Sequence, residues 1–354
     1  MTLYLAAVII GFLLLTFIPF VPGLLELLWP KDATPLKISF EYYKDPRYFG
    51  RSFRKLLFQG MTCPVEVSRH EKFKVVCLKL HEDLVSGREE NIKVLQGRAI
   101  IEDDSSVNEV IWAENEIIIG EKAQLFKEVY VKGDAHIEKG VTLRALACDS
   151  RMFAKPNLKV IRWIDAEQGI YLEGWADLGV SATTEGELRL STACKFRRLY
   201  GHPVFVETRG TELPSNNKNN ERVLKHYKER RIFIEDHEIP SGEEFDKDII
   251  VRGDLKIGSN CVIKGSIKTH GRLEIGENVV VEGGCFSEGD IKVGRSSRIH
   301  GNIFSQGRIE LGPGVAVGEK GKDWSVISRY EMVLYQGVVI SGYVVAVGGG
   351  RTVS

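Results

Sequence analysis

The sequence lacks a net charge, a paired-cysteine motif and any abundance of proline. Lysine plus arginine number 48 and aspartate plus glutamate 48. Charge alone therefore makes no case for a nucleic-acid partner. The six cysteines, Cys63, Cys77, Cys148, Cys194, Cys261 and Cys285, contain no C-x-x-C pair, which argues against a zinc ribbon or a thioredoxin-like site. No glycine-rich loop follows a strand and opens a helix, and Gly348, Gly349 and Gly350 have no lysine after them, so the phosphate-binding motifs are missing. Carboxylates are common, but no one pair stands out. No catalytic, cofactor-binding or metal residue is assigned, and no cofactor is expected. Proline is scarce at 11 against 36 glycines, which fits many tight turns between short strands better than disorder.

One long apolar run is present. Residues 3–25, "LYLAAVIIGFLLLTFIPFVPGLL", carry no charge and are long enough to cross roughly 30 Å of hydrocarbon. A positive n-region and a small-x-small cleavage site are both missing, so a retained transmembrane anchor over residues 1–30 is expected rather than a cleaved signal. Pro19 and Pro22 would break its last turn. Lys31, Lys37, Lys44, Arg47, Arg51, Arg54 and Lys55 follow the run and no lysine or arginine precedes it. The positive-inside rule then places the bulk of the chain in the cytoplasm, as a single-pass inner-membrane protein. Unpaired cysteines agree with a reducing compartment.

Residues 31–96 read as a juxtamembrane region. "DPRYFGRSFRKLL" (45–57) suits a short helix, with Asp45 as N-cap and Pro46 at its first position. Phe49, Phe53, Leu56 and Leu57 share one face. Such a helix fits a membrane surface or a cover over an open-ended core, and the cover is the reading adopted. "KFKVVCLKL" (72–80) alternates like a strand.

The dominant feature is a repeat of fixed period. Copies start at Gly253, Gly271, Gly289 and Gly307, a constant step of eighteen. Their fifth positions hold Ile257, Ile275, Val293 and Leu311, and their eleventh hold Ile263, Val281, Ile299 and Val317. Gly258, Gly276, Gly294 and Gly312 mark one corner, where a positive φ is a natural requirement. Each copy contains three short alternating pieces. One copy cannot bury its apolar side, whereas stacked copies can. The pattern predicts an all-β solenoid with three strands per coil and apolar ladders inside. The same period runs upstream through 97–206, where Ile101, Ile119 and Ile137 form one column and Val107, Leu125 and Leu143 another. It fails between about 207 and 234, where "ETRGTELPSNNKNN" reads as a loop and "ERVLKHYKERR" as a short basic helix. It resumes over 235–347, and 348–354 form a tail. The insertion either bulges from one continuous solenoid or joins two.

The last coil, 330–347, places Met332, Leu334, Val338, Ile340 and Val344 in the inward columns. It is followed by "GGGRTVS", with one charge and no proline. An unblunted strand edge pairs with other chains, so this coil is the expected assembly end. Cys261 and Cys285 read as small core residues. His270 and His300 occupy different positions in their copies and read as surface residues. Trp112 with Tyr130, and Phe286 with Phe304, form outward aromatic ladders.

The run "EIPSGEEFDKDIIVRGDLKIGSNCVIKGSIKTHGRLEIG", the G-x-I-x-V-G coils after it and "YQGVVISGYVVA" together resemble the bactofilin, or polymer-forming cytoskeletal, family. The resemblance covers about 235–350 and extends to 97–206 by periodicity. It implies a right-handed β-helix that polymerises end to end without nucleotide beneath the bacterial inner membrane, as a scaffold for cell shape or envelope organisation. The expected partners are then copies of the same chain, the inner membrane through residues 3–25, and envelope or cell-wall proteins. Two other readings compete. One is a non-polymerising platform that recruits partners along its side. The other is a hexapeptide-repeat acyltransferase, which shares this coil period and would make His270 or His300 a general base. Thr269, Ser287 and Ser305 interrupt the aliphatic pattern that such an enzyme requires.

Overall fold

Alternation of apolar and polar residues gives each short strand one face to bury, and the constant period sets that face above its counterpart. In a computed structural model, described over residues 45–62, 66–69, 73–80, 88–207, 230–319 and 321–354, with residue 4, 11–12 and 16–21, the result is a mostly-β solenoid of about 13 turns. The turns belong to two runs. The first occupies Arg88–Val206 and the second Arg230–Val353. Within each run neighbouring coils pair in parallel.

The ladders stack in register. Ile257, Ile275, Val293 and Leu311 pair successively, as do Ile263, Val281, Ile299 and Val317, and all eight are buried. One step is longer, since Ile309 pairs with Met332 across residues added around Gly318–Asp323. In the first run a bulge between Leu143 and Ala145 shortens one step, so Val129 pairs with Leu146.

The corners need glycine for closeness rather than for φ. A Cβ on Gly258 would stand 2.5 Å from Ser241 N, and one on Gly294 would stand 2.5 Å from Gly276 O. The left-handed residues lie two positions later, at Asn260, Asn278, Ser296 and Gly314. The interrupting hydroxyls have a job of their own. Thr269, Ser287 and Ser305 point inward and donate to Gly253 O, Gly271 O and Gly289 O at 2.6–2.7 Å. Each also accepts the N–H two residues on, from Gly271, Gly289 and Gly307. The buried backbone of each corner is thereby satisfied.

The two runs meet at their C-terminal ends. The strand Lys195–Val206 pairs antiparallel with Val339–Val353, matching Leu199 to Val344 and Val204 to Ile340. One apolar core passes through the joint without a break, from Ala99 to Ala346. At about 4.8 Å per coil the rod is about 60 Å long. The sequence left one solenoid or two as alternatives. The answer is two chain paths of opposite direction around one core.

The first coil of the rod starts earlier than the repeat suggests. Arg88–Leu95 pairs with Val110–Ala113 on one side and antiparallel with Phe73–Leu80 on the other. Glu66–Arg69 extends that hairpin. Helix α1, Tyr48–Thr62, lies on the side of the first run, not over its end.

The transmembrane helix expected over 3–25 requires correction. Among the described residues no helix is long and apolar enough to cross a membrane. The described part of that run includes a 3₁₀ turn, Ile18–Phe20, and the rest lies outside the described residues. The single-pass inner-membrane placement falls with it. Its orientation rested on basic flanks, of which Arg47, Arg51 and Arg54 are engaged with carboxylates of the solenoid.

The register makes a sharp prediction. Val281→Asp should cost on the order of 4 kcal/mol, because it buries an unpaired charge. Val280→Thr, on the outer side of the same strand, should stay within about 0.5 kcal/mol. Urea unfolding of the two variants checks this, and equal midpoints would mean that the inward column is misassigned.

Candidate interaction surfaces

One outward column runs the full length of the rod on a single face. It passes through Ile92, Val110, Glu128, Ala145 and Trp163 in the first run. Beyond the joint, where Arg198 meets Val345, it continues through Ile327, Phe304, Phe286, Lys268, Ile250 and Ile232. Helix α1 covers the first half. Leu57, with Phe49, Phe53 and Met61 at i, i+4 spacing, packs on Ile92, Val94, Val110, Trp112, Tyr130 and Trp163. Phe53 meets Trp163 edge-on at 5.6 Å, and Phe58 meets Trp112 at 5.3 Å. Trp112 and Tyr130, read from the sequence as an outward aromatic ladder, are thus the floor of a helix seat.

The N-terminal end of α1 is fastened by charge. Arg47 is 1% exposed and donates from Nε and Nη2 to both carboxylate oxygens of Asp165, at 2.8 and 2.7 Å. Asp165 is also 1% exposed. Arg47 further pairs with Glu167 and Glu185. Arg54 donates to Asp165, Asp149 and the Cys148 carbonyl. Thr183 donates its hydroxyl to Asp165 at 2.6 Å, and Tyr130 donates to Asp149. Burial alone would lower the Arg47 pKa, but hydrogen bonds to Asp165 and Glu167 outweigh it and the net direction is up. For Tyr130, burial and the bond to Asp149 both push the phenol up. This cluster was missed in the sequence. Its signal was an aspartate at 165 in an outward column that otherwise reads Trp112, Tyr130, Ala147.

The second half of the same face is bare among the described residues. Ile232 is 59% exposed, Phe286 41% and Phe304 39%, and Ile250, Ile327 and Val345 are half-buried. Apolar residues left in one line, interrupted only by Lys268, mark a surface for association.

A second column runs through the core. This inward column runs from Lys93 through Ile111, Val129, Leu146, Ile164, Ala182 and Leu199. It crosses to Val344 and runs through Val326, Ile303, Cys285, Ile267 and Ile249 to Arg231. Arg231 is the tip of this column in the second run, whereas Lys93 pairs on with Val75 of the hairpin that covers the first. Arg231 lies 5.4 Å from the ring centroids of Phe233 and of Phe245, and Phe233 stacks on His237. Burial and the Arg231 charge lower the His237 pKa.

The residues read as an assembly end, Met332, Leu334, Val338, Ile340 and Val344, are all fully buried. The edge that suggested this role is closed within the chain by Lys195–Val206. Sequence reasoning saw an open last coil because pairing between segments so distant along the chain leaves no local trace. His270 and His300 sit at different corners, each beside its own glutamate, Glu288 at 2.8 Å and Glu319 at 3.2 Å. Cys285 and Cys148 are buried, and burial pushes both thiols up to about 12, so neither is poised as a nucleophile. Compared with known proteins, the chain matches no family model, no curated protein and no solved structure.

Proposed function

We propose that this protein is a rigid structural rod of fixed length that works through its side, as a platform for partners. The observation that carries this reading is that neither tip presents a plain apolar strand edge: Arg231 ends the core column of the second run, and the hairpin strand Phe73–Leu80 covers Arg88–Leu95 of the first. Inward-pointing charge is a standard way to blunt a strand edge against stacking. Burying two Arg231 tips against each other would bring like charges together in a low dielectric. The tail-to-tail joint uses up the one unblunted end. What is left for association is the lateral apolar column.

A second reading is end-to-end self-assembly, as the resemblance to the bactofilin family implies. The strands Arg230–Phe233, His237–Ile239 and Glu244–Phe245 each have a pairing neighbour on one side only among the described residues, which favours it. Sedimentation and negative-stain imaging of the full chain separate the two. Single rods of one uniform length are expected, and filaments in the parent protein would replace the platform reading by the polymer. Arg231→Ile should then shift the protein toward dimers, because it restores one apolar tip. A variant that stays as monomeric as the parent would show that the cation is not what blunts this end.

A further inference from the structure

Resting on the platform reading, we infer that the bare column Ile232–Ile250–Lys268–Phe286–Phe304–Ile327–Val345 is a docking seat for an amphipathic α-helix supplied by another protein. Three observations converge on a helix. The first is continuity. This column is the extension, through the Arg198–Val345 pair, of one of the two columns on which α1 already lies. Helix α1 follows the rod axis. Its Arg47 reaches Asp165 and Glu185, while its Phe58 reaches Trp112 and Tyr130 two to four coils away. The face is thus shaped to take a helix lengthwise.

The second observation is length. Seven positions separated by about 4.8 Å make a column about 29 Å long, which a helix of about 20 residues spans at 1.5 Å per residue. The third is width. The strands at Ile267–Thr269, Cys285–Ser287 and Ile303–Ser305 each turn a single residue outward, with buried neighbours on both sides. A one-residue column suits a helix about 10 Å across. It is too narrow for the roughly 800 Å² per partner that a stable globular interface or rod-to-rod dimer requires. Lys268 interrupts the apolar line between Ile250 and Phe286, so an acidic side chain at the matching turn of the incoming helix is favoured.

The experiment uses the full chain and a fluorescein-labelled 20-residue peptide with leucine at i, i+3, i+4, i+7 and polar residues elsewhere. A scrambled peptide of the same composition is the control. Anisotropy should show at least tenfold tighter binding of the patterned peptide, with a gain in peptide helicity. The variant Phe286→Ser/Phe304→Ser should lose at least tenfold. A photo-crosslinking version of the peptide should label 285–287 and 303–305 in the parent, which keeps the test valid if the serine variant misfolds. Equal binding by the scrambled peptide or by the variant overturns the inference, as does labelling elsewhere. A parent dimer that dissociates in the serine variant makes a second copy the occupant and also overturns it. So does a tenfold affinity gain on replacing 208–229 by a glycine–serine linker, which would make the chain its own occupant. Monomeric rods that fail to bind would sink this inference alone, whereas filaments would sink the platform reading beneath it.

Discussion

Asp165→Ala should release helix α1 from the rod. The carboxylate is the shared counter-charge for Arg47 and Arg54, and its loss leaves a guanidinium buried with only the more exposed Glu167, Glu185 and Asp149 to face. Removing one partner of a buried ionic cluster costs about 3–5 kcal/mol, because the other partner stays desolvated. Hydrogen exchange over residues 48–62 should therefore accelerate by two orders of magnitude or more while exchange in 253–311 stays unchanged. Unaltered protection in α1 would show that its apolar edge alone holds it. Replacing the cluster as a unit by Arg47→Met, Arg54→Met and Asp165→Leu should restore much of the docking, since apolar substitutes avoid the desolvation penalty.

Acid should act on the same seat. Burial would by itself raise the Glu167 pKa, but the hydrogen bond and charge of Arg47, with the charges of Arg54 and Arg51, outweigh it and hold this carboxyl below its usual range. A group with a lowered folded-state pKa contributes stability above its unfolded value, about 4.3, and loses it as pH falls through the folded value. Docking should thus be indifferent between pH 6 and 8 and weaken below about pH 4. The emission of Trp112 and Trp163 beneath the helix reports this. A transition centred near pH 6 instead would point to a histidine.

Val344→Asp should part the two halves of the rod. Val344 faces Leu199 across the joint and is fully buried. An aspartate there puts an uncompensated charge in the seam, at several kcal/mol. The same side chain in mid-run would unfold neighbouring coils, but at the seam separation is the cheaper escape. Small-angle scattering should then show a larger radius of gyration, while circular dichroism keeps most of the β signal. A rod of parent dimensions would mean that the hairpin-like pairing of Lys195–Val206 with Val339–Val353 withstands the charge. Gly350→Val tests the same seam sterically, since an added Cβ would lie 2.3 Å from the Phe196 ring.

Much of this architecture was legible in the residues. Strict spacing of Ile257, Ile275, Val293 and Leu311 gives the coil, its register and its core, because each coil depends only on the coils beside it. The slip near Leu143 and the extension near Gly318 appear as breaks in period. The joint was not legible. Leu199 and Val344 are ordinary members of ladders, and nothing in a periodic pattern says which coil ends will meet. The seat of α1 was half legible. Its apolar edge, Phe49, Phe53 and Leu57, is plain, but its destination depended on Asp165, a single residue in an unrelated coil. The apolar run at 3–25 misled, because hydropathy alone counts residues and the basic flank that completed the argument belongs to the seat of α1.

The reversal of chain direction at the joint has a geometric consequence. Each half begins at a tip and ends at the middle. The tips still differ, because the hairpin strand Phe73–Leu80 covers Arg88–Leu95 at one while Arg230–Phe233 has a pairing neighbour on one side only at the other among the described residues. Inserting or deleting one whole coil in either half would change its length by about 4.8 Å without altering either tip or the seam. Such a molecule is a strut whose span is written in coil number and adjustable in single steps.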